Sequence, residues 1–472
     1  MSTTLAFYGG VNEIGGNKIL LEDSGTKIFL DFGMSFKIHS MFFEEFLKPR
    51  TSNGIGDFFA TGLLPDIKGI YRTDLLLHLG RKEEDPEIDA VVLSHAHADH
   101  ANYISFLHKD IPIYCGETCK AILDAIEESG QRDLEKEVVN FKPRPLFRAD
   151  YKKPPIERKF SIFRTGHKFK IGSLEIEPIH VDHSVPGSYG FVIWTSTGSI
   201  VYTGDMRLHG THSEMTMDFV NRAKEVKPIA MITEGTRIDI PKTDESEPKV
   251  YNDSKNKILG FSGLVFVDFN FKDVDRFNTF YRIAKETGRN IVIGFKHVCF
   301  LERYHQDKKL KTPDSRAEGV FIFKPKQATG TYSNEDYTDA HIKCRLNYPN
   351  IITAETINKN PSKYIVVLNF FNINNLIDFD TKNSLYIKSS SEPYNEEMEI
   401  SYDRMQNWLD HFSLNLFQSH CSGHMVGQDL KELINIISPK RLFPVHTEHP
   451  EMFQSLSTNT NIVEANKKYV IS

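Results

Sequence analysis

Short apolar runs that end in Gly, Asp or Asn recur through the first half of the chain. LAFYGG, KILLED, KIFLDFG, AVVLSHA and PIYCG each read as a β-strand. Apolar residues then fall at helical spacing and predict a helix over Cys115–Glu128. Three further strands follow in LEIEPIHVDH, GSYGFVIWTS and SIVYTGD. A helical stretch lies between Leu208 and Lys227, and IAMITEG is again a strand. Strand-rich segments with outlying helices predict two sheets packed face to face and covered by helices.

The pattern changes after Gly235. TRIDIPKTDESEPKVYNDSKNKI is polar and reads as an irregular crossover. GLVFVDF, a helix from Val274 to Thr287, and NIVIGF then give strand, helix and strand, the signature of a parallel βαβ unit. GVFIF, a helix around Asp336–Arg345 and KYIVVLNF continue it. The polar loop SSSEPYNEE, Ser389–Glu397, reads as a second crossover, and SLNLFQSHCSGH, GQDLKELINIIS and KRLFPVHTEH resume the earlier style. The expected organisation is a first domain over 1–235, an inserted α/β domain over 236–400 and a return to the first domain over 401–472.

Composition adds limits. The 472 residues are 40% hydrophobic and 25% charged, which is the balance of a globular protein with room for several domains. No apolar run approaches the ~20 residues that span a bilayer, and MSTTLAFYGG has no basic segment leading into an apolar one. Five scattered cysteines do not form a disulfide framework, so a reducing cytoplasm is expected. Cys115 and Cys119 fall at i, i+4 on the expected helix without a second pair and do not read as a zinc site. The net charge of −6 excludes nucleic-acid binding by bulk charge alone. A polyanion would have to be met by bound metal or by a local patch such as the Lys- and Arg-rich stretch Lys142–Arg164.

The stretch VVLSHAHADH carries the chemistry. A strand delivers its loop to a sheet edge. There His95 and His97 alternate along extended backbone and point the same way. Asp99 and His100 begin a helix, where a carboxylate suits the N-terminal end. Imidazole and carboxylate are ligands for zinc or manganese. Each ion needs about four ligands, and further candidates follow apolar runs elsewhere: Asp31, His183, Asp205 and His446. That recurrence predicts a binuclear metal site. His108, His180, His209, His212 and His449 are read as ordinary histidines.

In order and type, His95, His97, Asp99, His100, His183, Asp205 and His446 resemble the ligand set of the metallo-β-lactamase superfamily. The resemblance implies an αββα sandwich. It assigns His95, His97 and His183 to one metal and Asp99, His100 and His446 to the other, with Asp205 bridging and Asp31 supporting. The βαβ-like block resembles the β-CASP insertion of nucleic-acid-processing members, whose three signatures match Glu234, His424 and His446. GGVNEIGGN and HCSGH…PKRLFPVHTEH are similar to the opening and close of the ribonuclease J catalytic core, in a short archaeal style. Glu234 stands where Asp is common, Met425 and Val426 replace small or hydroxyl residues, and the chain is expected to lack a further C-terminal domain.

These likenesses imply a metal-dependent ribonuclease acting on single-stranded RNA, 5′→3′ with a further endonuclease mode, using two Zn²⁺ or alternatively Mn²⁺. Asp99 would orient the attacking water. His424, held by Glu234, would protonate the leaving oxygen. His420, Cys421, Ser422, Gly423 and His424 would line a phosphate pocket, with RNA in a cleft between the domains; FVDFNFKDVDR, Phe266–Arg276, reads as an ordinary strand and loop rather than its lip. A homodimer is compatible with the sequence and a membrane partner is not. Competing readings are a β-CASP endonuclease or DNA-directed nuclease, a non-catalytic nucleic-acid-binding relative, and a β-lactam hydrolase.

Overall fold

A computed structural model of the chain describes residues 2–44, 46–130, 133–147, 154–391, 396–457 and 459–471. It divides into two compact units. The first is Met1–Leu208, His212–Thr243 and Gly423–Ser472, and the second is His209–Thr211 with Asp244–Ser422.

Two sheets form the first unit. In spatial order one contains β1 (Thr4–Gly9), β2 (Lys18–Asp23), β3 (Thr26–Phe32), β4 (Ala90–Val92), β5 (Ile113–Gly116) and β6 (Phe160–Phe163), with Lys468–Val470 flanking β1. The other contains β7 (Phe169–Ile171), β8 (Leu174–His180), β9 (Tyr189–Thr195), β10 (Gly198–Tyr202) and β11 (Ala230–Thr233), with Leu442–Pro444 beyond β11. Strand alternation decides what each face meets. Phe191, Ile193, Ile200, Tyr202 and Ile232 point inward onto Phe7, Ile19, Leu21, Ile28 and Leu30 of the facing sheet. Val192, Val201 and Met231 point outward and are covered by Phe219 and Val220 of helix Ser213–Glu225 and by Leu430, Leu433 and Ile434 of helix Gly427–Ile437. This is the expected sandwich. β8 runs antiparallel to β9 and β9 to β10, while β10, β11 and Leu442–Pro444 are parallel. The carboxyl ends of β8, β10, β11 and Leu442–Pro444 therefore share one edge.

The second unit is built on a seven-stranded parallel sheet. Its strands are β12 (Val265–Asp268), β13 (Asn290–Ile293), β14 (Val320–Phe323), β15 (Ile351–Ile352), β16 (Tyr364–Val367), β17 (Leu385–Lys388) and β18 (Asn415–Gln418). Their spatial order is β15-β14-β13-β16-β12-β17-β18, and every pairing is parallel. Parallel neighbours need crossovers, here largely helical, which bury both faces of the central strands.

Several elements differ from the sequence expectation. The helix read over Cys115–Glu128 is strand β5 followed by a helix over Glu117–Ser129, so Cys115 and Cys119 sit on different elements. The polar crossover contains a helix, Glu247–Leu259. Ser246 caps it by accepting from Lys249 N–H, and only Val250 and Ile258 supply buried apolar contacts, too few for a visible period. The helix expected around Asp336–Arg345 is reduced to Ala340–Lys343 after a turn at Asn334–Asp336. The second unit runs to Ser422 rather than residue 400, because β18 pairs with β17. Part of the Ser389–Glu397 loop lies outside the described residues.

Candidate metal centre

Each candidate ligand of the first unit follows a strand. His95 comes three residues after Val92, and His97 caps the short helix Ala98–Ala101 that carries Asp99 and His100. His183, Asp205, Glu234 and His446 follow β8, β10, β11 and Leu442–Pro444 at their common edge. The donor atoms of His95, His97, His183 and Asp205 lie within 4.8 Å of one another, and so do those of Asp99, His100, Asp205 and His446. Asp205 belongs to both groups. Its Oδ2 is 3.1 Å from His100 Nε2, 3.6 Å from His446 Nε2, 3.7 Å from His95 Nε2 and 3.9 Å from His183 Nε2.

The outer nitrogens explain which way the rings face. Ser94 Oγ donates to Asp31 Oδ2 at 2.7 Å and so accepts from His95 Nδ1 at 3.0 Å. His100 Nδ1 donates to Asp31 Oδ2 at 2.8 Å, and His183 Nδ1 to the Gly423 carbonyl at 2.6 Å. Thr236 Oγ1 donates to Glu234 Oε2 at 2.8 Å and accepts from His446 Nδ1 at 2.8 Å. With the proton on Nδ1 in all four rings, a neutral imidazole presents its Nε2 lone pair inward. Inside, His97 Nδ1 is 3.1 Å from both His95 Nε2 and His183 Nε2, and His446 Nε2 is 3.0 Å from Asp99 Oδ2. Such a convergence of lone pairs and carboxylates repels itself unless a cation lies among them.

Electrostatics agree. Burial, and then the neighbouring imidazoles, hold His95 and His183 well below the usual histidine range, in the neutral form that ligates. Burial also opposes charge on His100, but Asp205, Asp99 and Asp31 outweigh it and push that ring well above the range. An environment that draws a proton so strongly draws a metal ion for the same reason. Asp205 Oδ1 is buried with no hydrogen-bond partner among the described residues, a further acceptor for an ion. The donor set thus fits a metal.

Backbone strain marks the site. Asp31 (φ 58°) and His446 (φ 53°) are left-handed, which costs non-glycine residues roughly 1–2 kcal/mol each. The N-terminal GGVNEIGGN segment braces both halves. Asn17 N–H donates to the Asp99 carbonyl at 3.0 Å, and His446 N–H to the Gly10 carbonyl at 2.8 Å. Gly15 (φ 83°) packs so closely that a Cβ would stand 2.7 Å from Asp99 Cβ, and at Gly33 it would stand 1.7 Å from the Asp99 carbonyl oxygen. Glu13 accepts from Gly10 N–H at 3.2 Å and from the Ser35 hydroxyl.

Asp31 takes four bonds in all, from Ser94 N–H and Oγ–H, His100 Nδ1 and the Tyr202 hydroxyl at 2.6 Å. Oδ1 takes the Ser94 N–H and Oδ2 the other three, so an Asn there would put an NH₂ against at least one donor in either orientation. Asp31→Asn is expected to weaken metal affinity by about 10–100-fold, read by titrating metal into the chelated protein. Unaltered affinity would remove Asp31 from the supporting role.

His424 Nδ1 donates to Glu234 Oε2 at 2.9 Å, and Glu234 Oε1 accepts from Met206 N–H at 2.8 Å, beside Asp205. Burial lowers the His424 pKa, but Glu234 chiefly, then Asp205 and Asp99, raise it to about 9. His420, Cys421 and Ser422 belong to the second unit, whereas Gly423 and His424 belong to the first. Cys421 is buried, and its thiol donates to Glu247 Oε1 at 3.2 Å beside the buried Arg276. Ser422 N–H is taken by Glu245 Oε2 at 3.2 Å. Both groups thus have partners within the second unit. Met425 and Val426 are buried in the first unit. Four cations of the basic stretch have internal or acidic partners among the described residues. Arg158 is buried against the Ser105 and Leu107 carbonyls, while Arg144, Lys159 and Arg164 pair with Glu137, Asp110 and Glu117. Its residues 148–153 lie outside the described residues.

Sequence reasoning missed Ser94, Tyr202, Thr236, Asn17 and Glu13. Ser94 and Thr236 stood within two residues of His95 and Glu234, and that adjacency was the only local signal.

A β-lactamase superfamily domain matches residues 65–224, and a Zn-dependent metallo-hydrolase RNA specificity domain matches residues 415–460. Fold, site and matched domains support a metal-dependent hydrolase. The chain is homologous to ribonuclease J enzymes over nearly its whole length. It is 23% identical to ribonuclease J of Mycoplasma genitalium over 98% of this chain and 70% of that one. With ribonuclease J of Helicobacter pylori J99 the identity is 22% over 95% of this chain and 56% of the relative. A crystal structure of a protein of unknown function from Enterococcus faecalis V583 shares the fold over the full length of both chains, with a TM-score of 0.75 and 24% identity. No helix among the described residues is long and apolar enough to cross a membrane.

Proposed function

We propose that this chain hydrolyses RNA phosphodiester bonds with two metal ions, zinc or alternatively manganese. His95, His97 and His183 would hold one ion, Asp99, His100 and His446 the other, and Asp205 would reach both. The observation that carries the reading is the inward turn of four imidazole Nε2 atoms, each with its Nδ1 proton spent on an outer acceptor. Bound there, the ions supply Lewis acidity toward a water and the scissile phosphate. Asp99 Oδ2, at the inner edge of the site, orients the attacking water. His424 delivers a proton from Nε2 to the departing 3′ oxygen while Glu234 steadies the cation through Nδ1. Thr236 keeps Glu234 in register by donating to the same carboxylate oxygen. The work would be done on single-stranded RNA in the cytoplasm, proceeding 5′→3′.

Digestion of one RNA sequence carrying a 5′-phosphate, a 5′-triphosphate or a 5′-hydroxyl tests the reading, with the matched DNA alongside. Mononucleotides released from the 5′ end, lost on chelation and restored by Zn²⁺ or Mn²⁺, are expected. Internal ladders would replace the exonuclease mode by an endonuclease one. Cleavage of DNA alone, or of neither polymer with metal bound, would overturn RNA hydrolysis.

A further inference from the structure

The second unit carries a feature the metal centre does not use. In its sheet, the connection leaving β13 runs outward to β14, while the one leaving its neighbour β16 runs the other way to β17. Connections that diverge in this way open a crevice at the carboxyl ends of the two strands, where open α/β sheets take ligands. The helix Phe295–Tyr304 starts directly after β13, capped by Gly294 with no side-chain bond. Neither Phe295 nor His297 finds an acceptor for its N–H among the described residues. First-turn N–H groups of this kind attract anions.

His297 is the second observation. It is 9% exposed, and neither ring nitrogen has a hydrogen-bond partner among the described residues. A Cβ built on Gly294 would meet only His297 Nδ1, at 3.8 Å. The ring therefore faces the cradle that the missing side chain leaves at the helix start. Burial, and then Lys296, lower its pKa to about 3, so the ring is neutral and has one N–H to donate. The Phe271 ring stands 5.6 Å away with Lys296 Nζ 4.5 Å from its centre. On the β16 side, Phe371 is 89% exposed with Phe370 beside it at 5.8 Å. An exposed ring past the carboxyl end of the strand that neighbours β13 suits a base joined to a phosphate.

We infer that the crevice between β13 and β16 binds a nucleotide unit, its phosphate at Gly294–His297 and its base on Phe371. The same phosphate chemistry is offered by a polynucleotide strand and by a free mononucleotide. The strand follows from the ribonuclease reading, whereas the phosphate contact stands without it.

The test uses the full-length chelated protein, so that nothing is cleaved, with its histidines isotope-labelled. Inorganic phosphate, 5′-AMP and a ten-nucleotide oligoadenylate are titrated in turn. All three are expected to shift the His297 ring signals. Gly294→Ala, which fills the cradle at an ordinary backbone angle, and Phe371→Ala, which alters only an exposed side chain, are each expected to weaken the oligonucleotide by about tenfold or more. His297 signals that none of the three moves would overturn the site. Equal oligonucleotide affinity in both variants, with AMP binding lost, would overturn the polynucleotide half and leave a mononucleotide site. RNA cleavage without the His297 shift would sink the crevice alone, and the shift without metal-restored cleavage would sink the ribonuclease reading alone.

Discussion

Asp205→Ala is expected to leave the chain without stoichiometric metal and with a rate no higher than that of the chelated protein. Asp205 Oδ2 lies 3.1–3.9 Å from nitrogens of His100, His446, His95 and His183, and 3.9 Å from His424 Nδ1. Among the described residues no other side chain belongs to both ligand groups. Its loss removes the one negative charge shared by two cations, whose mutual repulsion is then no longer offset between them. His97→Ala should empty one ion and spare the other, because His97 belongs to a single group. Metal content by mass spectrometry, measured beside the initial rate on RNA, checks both. An Asp205→Ala protein with two ions and native turnover would refute the assignment of the ligands. The fold should survive, since Asp205 lies on a loop after β10 and its neighbours are held by other bonds.

His424→Ala is expected to retain metal while cleavage slows by about 10²–10⁴-fold, the range for loss of a general acid. The residue's hydrogen bond goes to Glu234, and it stands outside the two proposed ligand sets although 3.9 Å from Asp205, so affinity and rate should separate. Glu234→Gln tests the same pair through pH. With its pKa raised to about 9, His424 is protonated through neutrality, and its acid function fades as pH rises past that value. Removing the charge that chiefly raises it must shift the alkaline fall of the rate toward the ordinary imidazole range, about 6.5. The raised value also means that His424 stabilises the fold below about 6.5 and that this contribution is lost as pH climbs through about 9. An alkaline limb that does not move in Glu234→Gln, or a full rate in His424→Ala, would take the proton transfer away from this pair.

Much of the site was legible because its ligands follow strands whose apolar content is plain. An apolar run that stops at His or Asp marks a polar group placed at a sheet edge, as at His95, His183, Asp205 and His446. The gain of helix Glu247–Leu259 shows the opposite limit. Its buried contacts come from Val250 and Ile258, while capping by Ser246 does the rest, and neither makes a hydrophobic period. The extent of the second unit was hidden for a related reason, since β18 joins it through pairing with β17, a contact the local pattern does not encode.

The identities of the metal-seeking residues, and their position just past the strands, were determined by the sequence itself, since periodicity and residue chemistry are local properties. Only the tertiary structure decided which nitrogen of each ring turns inward. That choice rests on Asp31, Gly423 and Thr236, which meet His100, His183 and His446 from 69, 240 and 210 residues away. It likewise decided that Arg158 and Arg164 serve internal partners, because burial and pairing come from packing between distant segments.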